Sequence, residues 1–392
     1  MIWPRTMRDA NSIEVAMASG KPAQPLEGKT AVVVTGAIAP YTDRLYGALQ
    51  DDTGLAVHVL ACTALEPQRK WAAPCAPRYR LQALPGLRLH RSYTSHVYVN
   101  PGVVAEILRI APDIVLIDGF SPTMMLAAGT ALARGIALGV ITDGSVATDP
   151  GRASRVHGWM RKVVIPRAAV GIGASADSVR LLRSFGLKES KGFVVPIMSA
   201  WDGPELARPF SERSFDVLFS GSIDDERKGA WFFAEVVERC AAMGQLRSVR
   251  VIGDGPLRSA LQERLQRAGL STRFDGYLQQ ADLAEAYSSA KLLLFPSRGD
   301  PWGLVANEAI LCGTPVVASP HAVSAVELIA PYDAGLVLPL DAAGWASAVS
   351  DLLSEPQRWA ALQHNHRAAS KFFSRDRCVV AMTTALSVGL SA

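Results

Sequence analysis

The chain is 392 residues long, 49% apolar and 19% charged, with a formal net charge of +4. That length exceeds one ordinary domain and fits two, and no run approaches the roughly 18 uninterrupted apolar residues of a transmembrane helix. Residues 1–210 carry 23 Lys+Arg against 16 Asp+Glu and the remainder 17 against 20, an imbalance without the interleaved aromatics or binding motif that nucleic-acid recognition requires.

Residues 1–27 contain Arg5, Arg8, Asp9 and Glu14 but no apolar core segment. They read as a disordered or extended start, not a secretory signal, with Met7 and Met17 as alternative starts. Apolar β-type runs then alternate with helical stretches, which predicts parallel α/β sheets. In the first half the expected strands are Ala31–Thr35, Ala56–Ala61, Asp113–Ile117, Ala137–Thr142, Val170–Ala174 and Phe193–Pro196, with helices such as Thr123–Arg134 and Ala176–Phe185 between them. Residues Ser199–Ser214 are irregular and read as a linker between a domain at 28–200 and another at 214–373. The second series of strands is Val217–Ser220, Val249–Gly253, Arg273–Gly276, Leu292–Phe295, Val316–Ala318 and Leu336–Leu338. Two helices, Pro356–Lys371 and Arg375–Ser387, close the chain.

Within this frame the loop after the first strand, Thr35-Gly-Ala-Ile-Ala-Pro-Tyr-Thr-Asp-Arg44, lacks a Gly-x-Gly-x-x-Gly fingerprint, which disfavours a nicotinamide dinucleotide. Asp118 and Asp143 each end a strand, where an acid either caps the next helix or orients a hydroxyl and takes its proton. The segment Gly151–Arg167 mixes Arg152, Arg155, Arg161, Lys162 and Arg167 with Trp159, Met160, Val163, Val164 and Ile165. Such a pattern suits either an anionic membrane surface or an ordinary helix with its apolar side in the core.

The densest chemistry lies at Phe295-Pro-Ser-Arg-Gly-Asp-Pro-Trp-Gly-Leu-Val-Ala-Asn-Glu308, followed by a Gly313-Thr-Pro turn. It reads as strand, loop, helix, turn, strand. Asp300 stands in the loop and Glu308 in the helix, and a helix entered from a glycine offers unpaired N–H groups that favour phosphate. Eight helical residues would span roughly 12 Å. An acid, an anion site and a second acid match the layout of a nucleotide sugar: sugar hydroxyls, diphosphate, ribose hydroxyls.

This segment resembles the signature of retaining glycosyltransferases of family 4, the group 1 glycosyltransferases of GT-B fold, with Asp300 where the family usually has Glu. The resemblance covers roughly residues 30–390 and is densest at 215–340. It implies two Rossmann-like domains with parallel sheets facing a central cleft, and a C-terminal helix over residues 374–392 that packs back on the N-terminal domain. It also implies a nucleotide sugar donor on the C-terminal domain and a glycan or lipid-linked acceptor on the N-terminal one. Asp216-Val-Leu-Phe-Ser-Gly-Ser-Ile-Asp-Asp-Glu-Arg-Lys-Gly-Ala230 matches the family loop that grips the diphosphate. Lys228 keeps the family lysine, Ser222 replaces the family arginine, and Arg227 is placed to stand in. The resemblance further assigns to the donor Gly36 in the first loop, Gly253 in the turn after the second half's second strand, and Tyr277 beside the base. At the phosphate entrance it assigns Trp302, Gly303, Leu304 and Val305. Asp300, Lys228 and Asp118 are the residues expected at the reacting atoms.

No metal or other cofactor is expected. The seven histidines show no metal spacing, and Asp224-Asp225-Glu226 reads as solvated loop acids. Five scattered cysteines without a C-x-x-C pair suit a reducing cytosol, with peripheral contact on the inner face of the membrane. Two other readings use the same donor residues: a sugar-nucleotide epimerase of the same fold, and a nucleotide-sugar-binding protein without turnover.

Overall fold

The computed structural model describes residues 26–64, 77–92, 95–149, 154–205 and 207–391. Expectations for Met1 to Pro25, Cys75 and Arg152 lie outside them. Leu26 is already buried in the first core, so the N-terminal domain begins before residue 28.

The first sheet has seven strands in the order β3-β2-β1-β6-β7-β8-β9: β1 (Thr30–Thr35), β2 (Ala56–Ala61), β3 (Arg80–Ala83), β6 (Ile114–Asp118), β7 (Ala137–Thr142), β8 (Val170–Gly173) and β9 (Gly192–Val194). Every pair is parallel, with Val34 beside Leu60 on one side and Ile117 on the other. Strands β1 and β6–β8 are nearly uniformly apolar because both faces are covered. One face carries α1 (Pro40–Thr53) and the other α2 (Val103–Ile110), α3 (Pro122–Arg134), α4 (Arg155–Val164) and α5 (Ala176–Ser184). An antiparallel hairpin of β4 (Leu87–Ser92) and β5 (Ser95–Val99) is added beside this sheet.

The second sheet has the order β12-β11-β10-β13-β14-β15, again all parallel: β10 (Phe215–Ser220), β11 (Ser248–Ile252), β12 (Ser271–Gly276), β13 (Ala290–Phe295), β14 (Val316–Ala318) and β15 (Gly335–Val337). On one face lie α6 (Ala230–Ala242), α7 (Arg258–Arg267), α10 (Ala342–Ser354) and α11 (Pro356–Ser370). On the other lie α8 (Gln280–Ser288), α9 (Leu304–Leu311) and a π-helical turn, Ala325–Ile329.

The final helix, α12 (Arg375–Leu390), returns to the first domain. Cys378, Val379, Met382, Ala385 and Leu386 are buried in the core built by α1 and β1, and Arg375 makes two 2.7 Å bonds to Asp52. The linker is shorter than expected. Arg213 is buried in the second domain, where its guanidinium donates to the carbonyls of Ala290 (2.7 Å) and Gly313 (2.9 Å). The crossing is thus made before Arg213.

No helix among the described residues is long and apolar enough to cross a membrane. Cys62, Cys240, Cys312 and Cys378 are buried free thiols.

Candidate functional site

In each sheet the strand order reverses once, between β1 and β6 in the first and between β10 and β13 in the second. Helices leave such a pair in opposite directions, which opens a crevice at the carboxyl ends of the strands. The predicted polar residues collect at these two points.

At the second crevice, Lys228 follows β10 by one loop and Asp300 follows β13. Lys228 Nζ donates to Asp300 Oδ2, both side chains are about nine-tenths buried, and the ammonium also lies 5.5 Å from the Phe295 ring centre. The backbone fixes Asp300: its N–H donates to the His321 carbonyl at 3.1 Å, and its own carbonyl accepts from Val323 N–H at 3.2 Å. Asp224 and Asp225 build the lysine loop. Asp224 accepts from the N–H groups of Arg227 (2.8 Å) and Lys228 (3.1 Å), and Asp225 accepts from Trp231 N–H (2.9 Å) and pairs with Arg298. These acids therefore order the loop and are not simply solvated. Among the described residues, no group of three or more His, Cys, Asp or Glu is placed to hold a metal ion.

Glu308 lies half-buried on α9, with Tyr287 Oη 2.6 Å from its Oε2 and Ser220 Oγ 2.9 Å from that phenol. Burial pushes its carboxyl up to about 7, opposed by the Tyr287 bond and the Lys228 charge. Lys228 thus sits electrostatically between the two acids, one paired with it directly and one within reach of its field. Tyr287 and Ser220 were not anticipated, since neither belongs to a local motif. Arg298 is a second cation of this loop that sequence reasoning missed.

Gly303 opens α9 at φ 94°, and a Cβ there would come within 2.6 Å of the Phe295 ring, so glycine alone fits. Leu304 and Val305 form the first turn behind it, where N–H groups have no intrahelical acceptor. Arg227 is exposed at the mouth of the crevice, and Ser222 stands partly buried after Gly221. Tyr277 is 37% exposed beyond β12.

Packing fixes two of the expected residues. The Trp302 side chain does not face the crevice: it is buried, stacked at 5.9 Å on Phe372, and its indole N–H donates to Asn307 Oδ1 at 3.0 Å. A large apolar ring beside the α11–α12 junction gains more from that core than from solvent. Gly253 is demanded by its neighbours, because a Cβ there would lie 1.9 Å from the Gly221 carbonyl oxygen. Its role is to let two loops touch.

At the first crevice, Thr35 Oγ1 donates to Asp118 Oδ2 at 2.9 Å, and Gly36 lies against the Tyr98 ring. Asp118 and Asp143 both line a recess at the ends of β6–β9, together with Pro196–Met198 and Met382. The loop from Thr142 then approaches the other domain, where a Cβ added at Gly299, the neighbour of Asp300, would lie 3.9 Å from Thr148 Cγ2. The two domains meet again where Glu327 of the π-helical turn accepts from the N–H groups of Ala176 (2.8 Å) and Asp177 (3.0 Å).

The basic segment divides in two. Arg161 is buried, paired with Asp149 at 2.8 Å and lying over the Phe120 ring at 4.4 Å, and Val164 and Ile165 are in the core. Arg155, Val156, Trp159, Lys162 and Arg167 face outward, Trp159 with 62% of its surface exposed. Arg161 therefore leaves the set of candidate surface cations.

Comparison with known proteins follows the same division. Residues 214–355 match the family model described as "Glycosyl transferases group 1". Sulfoquinovosyl transferase SQD2 of Arabidopsis thaliana is 26% identical over 242 residues, covering 56% of this chain and 45% of the relative. A D-inositol 3-phosphate glycosyltransferase of Gordonia bronchialis is 36% identical over 108 residues, 27% of this chain and 23% of its own. The chain spans about half the length, or less, of the curated relatives it matches. Among solved structures, Anabaena Alr3699/HepE in complex with UDP aligns with a TM-score of 0.69 at 16% identity, over 92% of this chain and 99% of that one. Sucrose-phosphate synthase from Thermosynechococcus elongatus aligns at 0.63 and 19%, over 90% and 97%. These likenesses show the fold, two Rossmann-like domains in the GT-B arrangement.

Proposed function

We propose, from the match of residues 214–355 to the family model described as "Glycosyl transferases group 1", that the whole molecule transfers a sugar from a nucleotide diphosphate sugar to a hydroxyl acceptor, with retention of configuration. The observation that carries this is Lys228 held between Asp300 and Glu308 at the crevice of the second sheet. Transfer needs charge stabilisation on the leaving diphosphate, and Lys228 with the first-turn N–H groups of α9 supplies it. Glu308 takes the ribose hydroxyls and Asp300 the sugar hydroxyls. Arg227, exposed beside the lysine, is the cation free to replace the missing family arginine at Ser222. Asp118, across the cleft, orients the acceptor hydroxyl. The acceptor attacks the face from which the diphosphate leaves and its proton passes to that diphosphate, so no enzymic nucleophile is needed. Positioning and electrostatics do the work.

The fold neighbour solved with UDP makes UDP-sugars the first donors to test. The reaction is taken to be independent of divalent metal. The acceptor is a glycan or lipid-linked saccharide presented at a membrane surface, which the exposed face of α4 (Arg155, Val156, Trp159, Lys162) suits.

The test is a thermal-shift screen of UDP, GDP and dTDP sugars, then transfer with anomeric configuration read by NMR. Stabilisation by one sugar nucleotide and a retained anomer are expected, with initial rates in chelator within about twofold, roughly 0.4 kcal/mol of barrier. An inverted product, or activity restored only by Mg²⁺ or Mn²⁺, would overturn the mechanism. Isomerised donor without acceptor would mean an epimerase, and tight binding without turnover a binding protein.

A further inference from the structure

A circuit of contacts crosses the cleft beside Asp300. The backbone of Asp300 is held by the segment 321–323: its N–H donates to the His321 carbonyl at 3.1 Å, and its carbonyl accepts from Val323 N–H at 3.2 Å. That segment runs directly into the π-helical turn Ala325–Ile329. There Glu327 accepts from Ala176 N–H with Oε2 (2.8 Å) and from Asp177 N–H with Oε1 (3.0 Å). Both N–H groups open α5 of the N-terminal domain, where the helix dipole favours an acid. Asp177 turns the path back toward the cleft, because its Oδ2 accepts from Val146 N–H at 2.8 Å. Val146 stands in the loop after β7, which is pinned at its far end by the Asp149–Arg161 pair and braced by Ser145 and Thr148, whose hydroxyls lie 2.7 Å apart. Thr148 Cγ2 would lie 3.9 Å from a Cβ on Gly299, the residue before Asp300. The path therefore leaves Asp300 on one side and returns to it on the other, with Glu327 as a link between the domains.

We propose that Glu327 is a positioning residue for the transfer step: it holds the Asp300 loop and the Val146–Thr148 loop at one fixed separation, so that the Asp300 carboxylate meets the donor's sugar in the closed cleft. This role rests on the transferase reading and deepens it. Glu327 itself touches no reacting atom. A carboxylate that accepts two N–H groups at once fixes direction as well as distance, and a small displacement of a group at the reacting centre costs much in rate. Lys228, Glu308 and the first turn of α9 all belong to the second domain, so they hold the nucleotide whether or not the circuit is closed.

The experiment measures transfer kinetics, UDP affinity, melting temperature and amide hydrogen exchange in the full chain. Glu327→Ala should lower kcat by about tenfold or more, with donor KM and UDP affinity within about twofold of wild type, the split expected of a contact that matters in the transition state. Glu327→Gln, which keeps one acceptor oxygen, should recover part of the loss. Asp177→Ala breaks the circuit from the other side without touching the second domain and should lower kcat by itself. Joined to Glu327→Ala it should add little, because two breaks in one circuit are not additive. In the ligand-free protein, exchange at residues 298–300 and 145–148 should quicken in both single variants. Unchanged turnover in Glu327→Ala, a loss shared equally with UDP affinity, or additive losses in the double variant would overturn the proposal. Should Glu327→Ala melt markedly lower, the same readouts in Glu327→Gln decide. Wild-type protein that transfers no sugar from any donor would sink the transferase reading; faster exchange at 298–300 in Glu327→Ala would then keep Glu327 as the link that orders the Asp300 loop, and unchanged exchange would end that role too.

Discussion

Glu308 is the residue whose chemistry the fold alters most. Its carboxyl, pushed up to about 7 from 4.5, favours its neutral form in the folded protein. That contribution to stability is complete below the unfolded value and is lost as pH rises through about 7. The ligand-free protein should therefore melt lower at pH 8 than at pH 6, and Glu308→Gln should narrow that gap. Ribose recognition runs the other way, because only the carboxylate accepts two hydroxyls, in charge-assisted bonds worth roughly 1.5–3 kcal/mol. UDP affinity should rise through about pH 7 in the wild type, and in Glu308→Gln it should be at least tenfold weaker and flat with pH. Calorimetric titration across pH 6–8 checks both. Asp300 behaves differently, since it already occupies Lys228 before any donor arrives. Asp300→Asn should cut turnover severely while leaving UDP affinity equal or higher, because the ammonium is released for the diphosphate. Parallel loss of both would place Asp300 at the phosphate or ribose.

Among the elements, α4 separates two roles that one stretch of sequence mixes. Its inner side carries the Arg161–Asp149 pair, and removing one partner of a buried pair costs about 3–5 kcal/mol. Arg161→Ala should lower the melting temperature of the N-terminal domain. Its outer side carries Trp159, whose replacement by alanine should leave melting unchanged but reduce sedimentation with anionic vesicles, with Lys162→Glu adding to the loss at low salt. No change in sedimentation for either variant would leave α4 an ordinary amphipathic helix. The strands that positioned the site were legible because parallel strands covered on both faces are uniformly apolar; Ala56–Ala61, Ala137–Thr142 and Val316–Ala318 match residue for residue. Strand β3, Arg-Leu-Gln-Ala at a sheet edge, and the hairpin strand Leu-Arg-Leu-His-Arg-Ser carry too many polar residues to show that signature. In the site, Lys228, Asp300 and Glu308 could be found because they lie in local motifs. Tyr287 and Ser220 could not, since their places beside Glu308 arise from contacts between distant elements. The direction of the Trp302 indole, buried against Phe372, is not legible in the sequence, because adjacency to Gly303 says nothing about which way an indole points.

For the whole molecule, the two domains touch through a few defined polar contacts. Glu327 occupies the first two N–H groups of α5, which Ser175 caps as well, and an acid at a helix N-terminus is favoured by the local dipole. Glu327→Ala should release this contact and open the cleft. Small-angle scattering should show a larger radius of gyration without ligand, reversed at least in part by UDP; an unchanged radius would mean that the remaining contacts hold the domains alone.

The path from Trp302 carries a kinetic consequence. Trp302 holds Asn307, and Asn307 Nδ2 donates to the Ile197 carbonyl at 2.9 Å. Asn307 precedes Glu308 on α9, and Ile197 lines the same recess as Asp118. Any shift of α9 as the ribose engages Glu308 is therefore passed through one amide to the surface on which the second substrate would rest. Under the proposed transfer reaction, coupling of this kind predicts uptake in sequence, donor first. Product inhibition should show it: UDP competitive against the donor and noncompetitive against the acceptor, with Asn307→Ala relaxing the order toward random addition while the donor's own dissociation constant stays nearly unchanged.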